Sequence, residues 1–392
     1  MMVHMQDKIV TTVVNKHIFI LTCFKLCKKE GMIEYFREHY SNVSVINFPT
    51  HRSKSRAIRL SCYNDNQLVL DKNLLSLPRN KLFSNFVATN LIFALTTFWS
   101  LLYIKKRFDL VVSEGLINTM FALILRKLRL CKKVIYSSGD YFNQSQMFIR
   151  ADLYLSKRVY QVWSASEEMV KIRLSNSWKF NNRHNDLISD KVMPLGIRHT
   201  SLPRNIGSIS LLKNIVIMGN VQKRLGYDLI LSAIMGNSQL ETFQVIVIGD
   251  GEYLEEFKKK VHESKMDNRF LFFGFIEDDR LIDFILSTCF AGLALYDPEK
   301  MDHTQYSDPG KIKDYISRDL PIIFTGGTTI SDNLISTSCG LVTKYSVAEL
   351  TSAILDVHNI KINEQLTKNV IDFKCNLSWS SILTPLLSNV DL

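Results

Sequence analysis

The sequence predicts an α/β protein in which two doubly wound, Rossmann-like domains face each other across a cleft. Its 392 residues are too many for one ordinary core, and 46% hydrophobic with 22% charged residues is typical of a folded chain. Short apolar runs alternate with amphipathic stretches of helical length, which indicates parallel strands covered by helices on both faces of a sheet. We expect domains at residues 1–200 and 201–375, and a closing helical segment at 376–392.

The N-terminal half contains five stretches with the composition of strands. Ser166 occupies the position of an N-cap for the helix that follows the fifth of them, and two glutamates stand in the first turn of that helix. The segment 172–212, rich in Ser, Asn and Arg, contains the boundary to the second domain. The strand-like stretches are HIFILTCF (17–24), VSVINFP (43–49), FDLVVSE (108–114, followed by the helix GLINTMFALILRKLRL), KKVIYSS (132–138) and the first part of VYQVWSASEEM (159–169).

One stretch, FVATNLIFALTTFWSLLYI (86–104), carries no charge and is long enough to cross a membrane. Thr and Ser dilute its hydrophobicity, and a core strand follows almost at once, so we prefer a helix buried in the N-terminal domain over a membrane span. A third interpretation stays open, in which the helix is partly exposed and contacts an anionic membrane surface. The cations that would surround such a helix are Lys81, Lys105, Lys106, Arg107, Arg126, Lys127 and Arg129.

The second half repeats the strand and helix pattern more regularly. Strands are predicted at 214–219, 243–249, 269–275, 289–295, 320–325 and 339–345, with helices expected in LGYDLILSAIM, EYLEEFKKKVHES, DRLIDFILST, KIKDYIS, DNLIS and AELTSAILDVH. In a parallel sheet the ligand crevice lies beyond the carboxyl ends of the strands. This rule selects the loops after Gly219, Gly249, Gly274, Leu295 and Thr325.

Several functional classes are disfavoured by composition. The seven cysteines form an odd set without a CxxC pair, so neither a disulfide framework nor a zinc site is expected. The N-terminus lacks a charged and then apolar leader, which favours a cytoplasmic location. Gly249 and Gly251 lack the third glycine of a dinucleotide fingerprint, which argues against a dinucleotide-dependent oxidoreductase. Nucleic acid is not an expected partner either, because the basic residues lack the aromatic and glycine patterning of known modules.

Charge is divided between the two halves of the chain. Residues 1–200 hold 30 Lys and Arg against 14 Asp and Glu, a net charge of +16, whereas residues 201–392 hold 18 against 24, a net charge of −6. The basic half could meet an anionic membrane surface or a phosphorylated substrate. A solvated face without a single partner is the alternative.

Several segments together resemble a known enzyme family. GNVQKRLGYDLILSA, VIVIGDG, the FFGF turn, SDPGKIKDYISRDLPIIFTGG and CGLV resemble the donor-binding domain of GT-B glycosyltransferases, in particular glycosyltransferase family 4. FDLVVSEG, VIYSSGDY, VWSASEEM and MPLGI resemble landmarks of the acceptor-binding domain. The resemblance covers about residues 108–345, and residues 1–80 match in outline. It implies that the closing helical segment crosses back to brace the first domain.

The resemblance and the physics of helix termini suggest a diphosphate site. A helix N-terminus offers free N–H groups and a positive dipole end, and Gly310 and Lys311 stand just inside the turn that precedes one. Asp314 matches the acid that accepts hydrogen bonds from the ribose in the family. The alternative for Lys311 and Asp314 is simple solvent exposure on an amphipathic helix.

A second cation is expected near the first strand of this domain. The family carries a basic residue and then Lys-Gly there, and this chain departs from that pattern with Leu225-Gly226, so Arg224 is preferred and Lys223 is the alternative. The remaining donor-binding candidates are Gly219 at a strand end, Asp308 in the turn before Gly310, and Gly274 and Phe275, where the family's backbone meets the nucleobase. A plain strand-end turn at Gly274 is the alternative.

The catalytic groups match the family less well. The first member of its acidic pair falls on Tyr306, which cannot act as a carboxylate. His303 is the nearby titratable candidate, and Asp140 is the candidate acid of the N-terminal domain, where many relatives have a histidine. Asp140 could instead cap the helix that follows.

These features favour a glycosyltransferase that moves a sugar from a nucleotide diphosphate-sugar to a hydroxyl of a glycan or lipid-linked acceptor, in cell-surface polysaccharide or glycoconjugate synthesis. The resemblance implies retention of anomeric configuration, no metal, and no cofactor beyond the nucleotide-sugar co-substrate. We expect a cytoplasmic enzyme, peripheral at the inner face of the membrane. The alternatives are a nucleotide-sugar epimerase of the same architecture and a non-catalytic GT-B partner protein.

Overall fold

The computed structural model describes residues 13–23, 30–49, 57–77, 86–104, 106–139, 141, 145–181, 188–197, 212–300, 306, 308–326, 336–388 and 390–391. Contacts group the chain into two compact units. The first is Met1–Met193 together with Leu383–Leu392, and the second is Pro194–Ile382.

The first unit contains an eight-stranded sheet in the order β4-β3-β2-β1-β5-β6-β7-β8. The six strands β2-β1-β5-β6-β7-β8, which are neighbours in this sheet order, are all parallel. The five strands predicted from sequence are confirmed. The strands are β1 Val14–Cys23, β2 Tyr40–Phe48, β3 Ala57–Asn64, β4 Gln67–Ser76, β5 Phe108–Glu114, β6 Cys131–Ser138, β7 Gln161–Ser164 and β8 Asp190–Val192; the helices are α1 Glu30–His39, α2 Phe86–Ile104, α3 Gly115–Lys127, α4 Gln146–Ser156 and α5 Glu167–Asn181.

The outer edge of this sheet is an antiparallel hairpin that the sequence analysis missed. Strands β3 and β4 pair antiparallel with each other, and β3 pairs antiparallel with β2. Asp65 and Asn66 form the turn with φ values of 45° and 64°, a left-handed conformation that Asp and Asn tolerate better than most residues. The first sheet is therefore mixed, with a parallel centre and an antiparallel edge.

Helix α2 coincides with the uncharged stretch 86–104. Phe93, Thr97 and Ser100 are buried against the sheet, whereas Leu95 and Leu102 are 62% and 66% exposed. The preferred sequence interpretation, a buried helix, is therefore correct for one face only, and the partly exposed alternative describes the helix better. Among the residues that the structure describes, no helix is both long and apolar enough to cross a membrane.

A buried ionic network holds α4 and α5 against the first sheet. The guanidinium of Arg173 is fully buried, donates to Asp152 at 2.8 Å and also contacts Asp190. The hydroxyl of Tyr136 donates to Asp152 at 2.9 Å. Burial raises the pKa of Asp190 even though the Arg173 charge opposes the shift. A buried cluster of this kind tolerates the loss of one partner poorly, because the remaining charges stay desolvated.

The second unit contains a six-stranded, fully parallel sheet in the order β11-β10-β9-β12-β13-β14. The six predicted strands are confirmed, and five of the six predicted helices are present, while DNLIS lies largely outside the described residues. The strands are β9 Asn214–Met218, β10 Gln244–Ile248, β11 Phe270–Gly274, β12 Cys289–Ala294, β13 Ile322–Phe324 and β14 Gly340–Val342; the helices are α6 Tyr227–Gly236, α7 Leu254–Glu263, α8 Asp279–Ser287, α9 Gly310–Ser317, α10 Val347–His358, α11 Ile360–Lys374 and α12 Trp379–Leu387.

The last part of the chain belongs to the first unit. From Leu383 onward the residues of α12 and the following turn cluster with that unit. The hydroxyl of Thr384 lies 3.1 Å from that of Tyr35 in α1, and the ammonium of Lys133 in β6 donates to the carbonyl of Asp391. The first unit is thus built from two segments that are far apart in sequence.

Candidate functional site

The order of the second sheet identifies the place where a ligand can bind. Consecutive strands run outward from β9 in one direction and from β12 in the other, so the topological switch point lies between these two strands. In open α/β sheets ligands bind beyond the carboxyl ends of the strands at such a point. The loops after Met218 and Ala294 therefore form the candidate crevice.

Glycines let three neighbouring strand ends approach one another closely. Gly219, Gly249 and Gly274 follow or end β9, β10 and β11 with φ values of 117°, 139° and 65°. The amide of Gly219 donates to Ile248 O at 2.9 Å, and the amide of Gly249 donates to Gly274 O at 2.8 Å. A Cβ atom at Gly249 would lie 1.8 Å from Gly219 O, so only glycine fits there.

Tyr315 fixes α9 to the switch point. Its ring is fully buried over Gly292, where a Cβ atom would lie 2.6 Å from the ring. Its hydroxyl accepts from the Met218 amide at 3.0 Å and donates to Leu293 O at 3.0 Å, so it bridges β9 and β12. The N-terminal turn of α9 is thereby held beside the crevice.

Lys311, in that first turn, points its ammonium group into the protein. The nitrogen is buried, although part of the side chain is exposed, and no group in the described part of the chain hydrogen-bonds to it. It lies 5.1 Å from the centroid of the Tyr296 ring. Burial, and then the charge of Arg224, lower the pKa of Lys311 to about 8. A buried ammonium without a partner is costly, and an anion would relieve that cost.

Arg224 and Lys223 occupy one short 3-10 turn, Lys223–Leu225, but differ in their surroundings. Arg224 is half-buried, and its charge acts on Lys311. Its carbonyl accepts from the Asp297 amide at 3.0 Å, which ties the turn to the loop after β12. Lys223 is 60% exposed and lies 4.0 Å from Glu256. The structure therefore brings Arg224, and not Lys223, together with Lys311.

The two helices that follow the switch-point strands β9 and β12 have no side-chain cap at their N-termini. Helix α6 begins after Gly226, whose φ is 76° and whose Cβ position would lie 2.2 Å from the Cβ of Leu295. Helix α9 begins after Pro309, which has no side-chain donor or acceptor. The positive dipole end of a helix N-terminus favours a bound anion.

The two acids expected in the donor site have partners within the second unit. Asp308 is buried, accepts from the Leu195 amide at 2.7 Å and lies 3.3 Å from the ammonium of Lys313. Asp314, with a 26% exposed side chain, lies 3.5 Å from Arg318. Asp308 thus has the surroundings of a structural ion pair, while Asp314 remains more accessible.

The remaining sequence candidates fall into two groups. Gly274 has open space around its Cβ position, and the neighbouring Phe275 is 53% exposed, so this turn offers an accessible apolar surface. Asp140 and His303 lie outside the described residues. Tyr306, at the position of the family's first acid, is described and half-buried.

The first sheet has a switch point of its own, between β1 and β5, which sequence reasoning did not single out. The hydroxyl of Thr22, near the end of β1, donates to the carboxylate of Glu114, at the end of β5, at 2.7 Å. Gly115 follows with φ 76° and open space around its Cβ position. A sequence signal for this site was present in the FDLVVSEG segment, where an acidic residue ends a strand and a glycine follows it. Within the described ranges, no three His, Cys, Asp or Glu side chains converge as metal ligands would.

Comparison with solved structures identifies the fold. Anabaena HepE, solved with UDP, superposes with a TM-score of 0.63 at 12% identity over 95% of this chain and 99% of that one. The catalytic domain of Arabidopsis thaliana starch synthase IV, bound to ADP and acarbose, gives 0.68 at 10% identity over 96% and 98%. A glycosyltransferase from Rickettsia africae gives 0.65 at 12% identity over 96% and 98%.

These structural neighbours are GT-B glycosyltransferases, and the chain has their fold. The predicted GT-B resemblance is therefore confirmed at the level of fold. No family model and no curated protein matches the sequence. Assignment to glycosyltransferase family 4 stays a prediction.

Proposed function

We propose that the chain is a glycosyltransferase that moves a sugar from a nucleotide diphosphate-sugar to a hydroxyl of a glycan or lipid-linked acceptor. The observation that carries this proposal is the buried ammonium of Lys311, which has no partner among the described residues and lies at a switch point. A desolvated charge at a crevice indicates an anionic ligand. Neighbours of the same fold were solved with UDP, UDP-glucose or ADP, which supports a nucleotide diphosphate as that anion.

The cations of the second unit would act on the leaving group. Lys311 and Arg224 would hold the diphosphate, and the N-termini of α6 and α9 would add backbone N–H groups. As the bond from the sugar to the diphosphate breaks, negative charge accumulates on the phosphate oxygens. Groups placed there stabilise the transition state more than the bound donor, and so raise the rate. Asp314 would accept from the ribose, and the turn at Gly274 and Phe275 would contact the base.

The acceptor would bind at the switch point of the first unit. Glu114 is held by Thr22 at the carboxyl end of the parallel strands, where ligands of such sheets bind. Its carboxylate can accept a hydrogen bond from an acceptor hydroxyl and orient the oxygen for attack. Asp140, one strand further along, stays a second candidate for this role.

The finer features of the reaction rest on the family resemblance. We propose retention of anomeric configuration, no metal ion and no cofactor beyond the co-substrate, in the synthesis of a cell-surface polysaccharide or glycoconjugate. The basic charge of the first half supports a cytoplasmic enzyme that is peripheral at the inner face of the membrane.

Thermal stabilisation by nucleotides tests the donor class. The purified protein is heated with UDP, ADP, UDP-glucose or other nucleotide sugars, and the midpoint of unfolding is compared with that of the free protein. A ligand at a hundred times its dissociation constant adds about 2.7 kcal/mol to the free energy of unfolding. Stabilisation by one nucleoside diphosphate and its sugars supports the proposal. No stabilisation by any nucleotide, with the fold intact, contradicts it.

A non-catalytic partner protein is the second candidate, because Tyr306 stands where the family has an acid. Incubation with the stabilising nucleotide sugar separates the candidates. A glycosyltransferase should hydrolyse its donor slowly without acceptor, an epimerase should interconvert free nucleotide sugars, and a non-catalytic protein should do neither.

A further inference from the structure

The outer side of α2 and α3 is apolar. Both helices lie on the same face of the first sheet, because Phe93 of α2 and Ala122 of α3 belong to one core cluster. Their opposite sides expose large hydrophobic residues at helical spacing, so both helices present an apolar surface to solvent. This apolar face consists of Leu95 (62% exposed), Trp99 (44%), Leu102 (66%), Met120 (46%), Ile124 (37%) and Leu128 (56%).

Cations line one edge of the apolar face. Helices α2 and α3 both end where β5 and β6 begin, and Phe108 pairs with Cys131 in the register of these strands. The residues that flank these two positions therefore lie side by side. The cationic edge consists of the exposed residues Lys106, Arg107, Lys127, Arg129 and Lys132.

Acidic residues are nearly absent from the same stretch. Residues 86–133 hold eight Lys and Arg against two Asp and Glu. One acid, Asp109, pairs with Lys132 at 2.7 Å. The other, Glu114, lies at the opposite end of β5. The apolar face and its cationic edge thus carry a local positive charge that is little neutralised.

These features fit an anionic lipid surface better than other partners. An exposed apolar patch of this kind marks an interaction surface. In a bilayer interface apolar side chains enter the boundary of the acyl chains while Lys and Arg remain at the headgroups. A second copy of the chain would bring the same positive charge to the contact, which opposes association.

We propose that the apolar face and the cationic edge bind the surface of an anionic phospholipid bilayer. This deepens the peripheral membrane location given above and rests on that part of the proposed function. The cationic edge lies at the amino ends of β5 and β6, opposite Glu114. Bilayer binding and acceptor binding would then use opposite edges of the first sheet.

Co-sedimentation of the full chain with lipid vesicles tests this inference. We expect binding to vesicles of phosphatidylcholine mixed with phosphatidylglycerol, weaker binding at high salt, and little binding to phosphatidylcholine alone. Replacing Trp99 and Leu102 together with glutamine should abolish binding. The control is Phe284→Gln, which changes an aromatic residue of the second unit that is 64% exposed, against 44% for Trp99 and 66% for Leu102, and it should leave binding unchanged.

Single charges can be tested in the same way. Lys127→Gln and Arg129→Gln should each weaken binding to the anionic vesicles about five-fold, because a basic residue near such a surface contributes about 1 kcal/mol. Lys259→Gln, which changes a 75% exposed lysine of the second unit, is the control and should have no effect.

Three outcomes would overturn the inference. The first is equal binding to neutral and anionic vesicles, and the second is vesicle binding that survives the Trp99 and Leu102 change. The third is self-association of the protein that this change abolishes, in the absence of any vesicle binding. The last outcome would assign the face to a second copy of the chain. The thermal stabilisation of the protein by nucleotides is measured on the same variants and should equal that of the wild type. Vesicle binding without any nucleotide binding would reject the proposed reaction and leave the surface assignment standing.

Discussion

Replacing Lys311 with methionine should stabilise the free protein and weaken donor binding at the same time. A pKa difference of one corresponds to about 1.4 kcal/mol, so a pKa lowered from 10.5 to about 8 sets an upper limit of about 3.4 kcal/mol for the unfavourable burial of this charge. Part of the side chain is exposed, and we therefore expect a gain of about 2 kcal/mol in the free energy of unfolding.

The pH dependence of that gain follows from the direction of the shift. Between pH 8 and 10.5 the unfolded chain binds more protons at Lys311 than the folded chain, so wild-type stability rises with pH in this window. The advantage of Lys311→Met should be complete below pH 8 and should disappear near pH 10.5. Urea unfolding of both proteins at several pH values measures it.

Donor binding should change in the opposite sense. Loss of a charge-assisted contact to the diphosphate should weaken affinity by about 1.5 to 3 kcal/mol, or about 10- to 150-fold. Wild-type affinity for a nucleotide sugar should fall about ten-fold between pH 7 and 9 as Lys311 loses its proton, and the variant should lack this dependence. Calorimetric titration measures both effects. A variant that is less stable than wild type and binds the donor equally well would refute the reasoning.

Three further predictions concern the two units. Arg224→Ala should weaken donor binding by about 1.5 to 3 kcal/mol, whereas Lys223→Ala, which removes an exposed cation, should change it by less than about 0.5 kcal/mol; equal effects in calorimetry would reject the distinction. Gly249→Ala should lower the free energy of unfolding by about 3 kcal/mol or more because its methyl group meets a backbone carbonyl, whereas Gly274→Ala, with open space around it, should cost about 1 kcal/mol. Arg173→Met should cost about 3 to 5 kcal/mol in urea unfolding, because it leaves two buried carboxylates without their cation, and a neutral effect would show that the network contributes little.

The second unit was predictable from sequence because its four central strands, β9, β10, β12 and β13, are buried on both faces. A run such as NIVIM or QVIVI is then apolar at nearly every position, and the helices between such runs carry a clear polar side. The hairpin of β3 and β4 was missed for the opposite reason. Strand β4 is exposed along most of its length, and its apolar residues do not alternate with polar ones as they do in a half-buried strand.

The site could be predicted only in part. Lys311 was found because Gly-Lys stands at the start of a helix, but its nitrogen lies beside the ring of Tyr296, fifteen positions earlier in the sequence, and that contact could not be predicted. Nothing in the local sequence distinguishes Arg173 from a surface cation, because its two acidic partners lie on other elements. The bridge that Tyr315 forms between β9 and β12 likewise depends on strand order, which local patterns do not encode.

The discontinuous first unit has a consequence for synthesis on the ribosome. Thr384 and Asp391 contact Tyr35 and Lys133, so these contacts cannot form until the residues from 194 to 382 have been translated. At about 5 to 20 residues per second, that delay is about 10 to 40 s. During this interval the nascent first unit must persist without its final segment, while the second unit can already fold as it emerges.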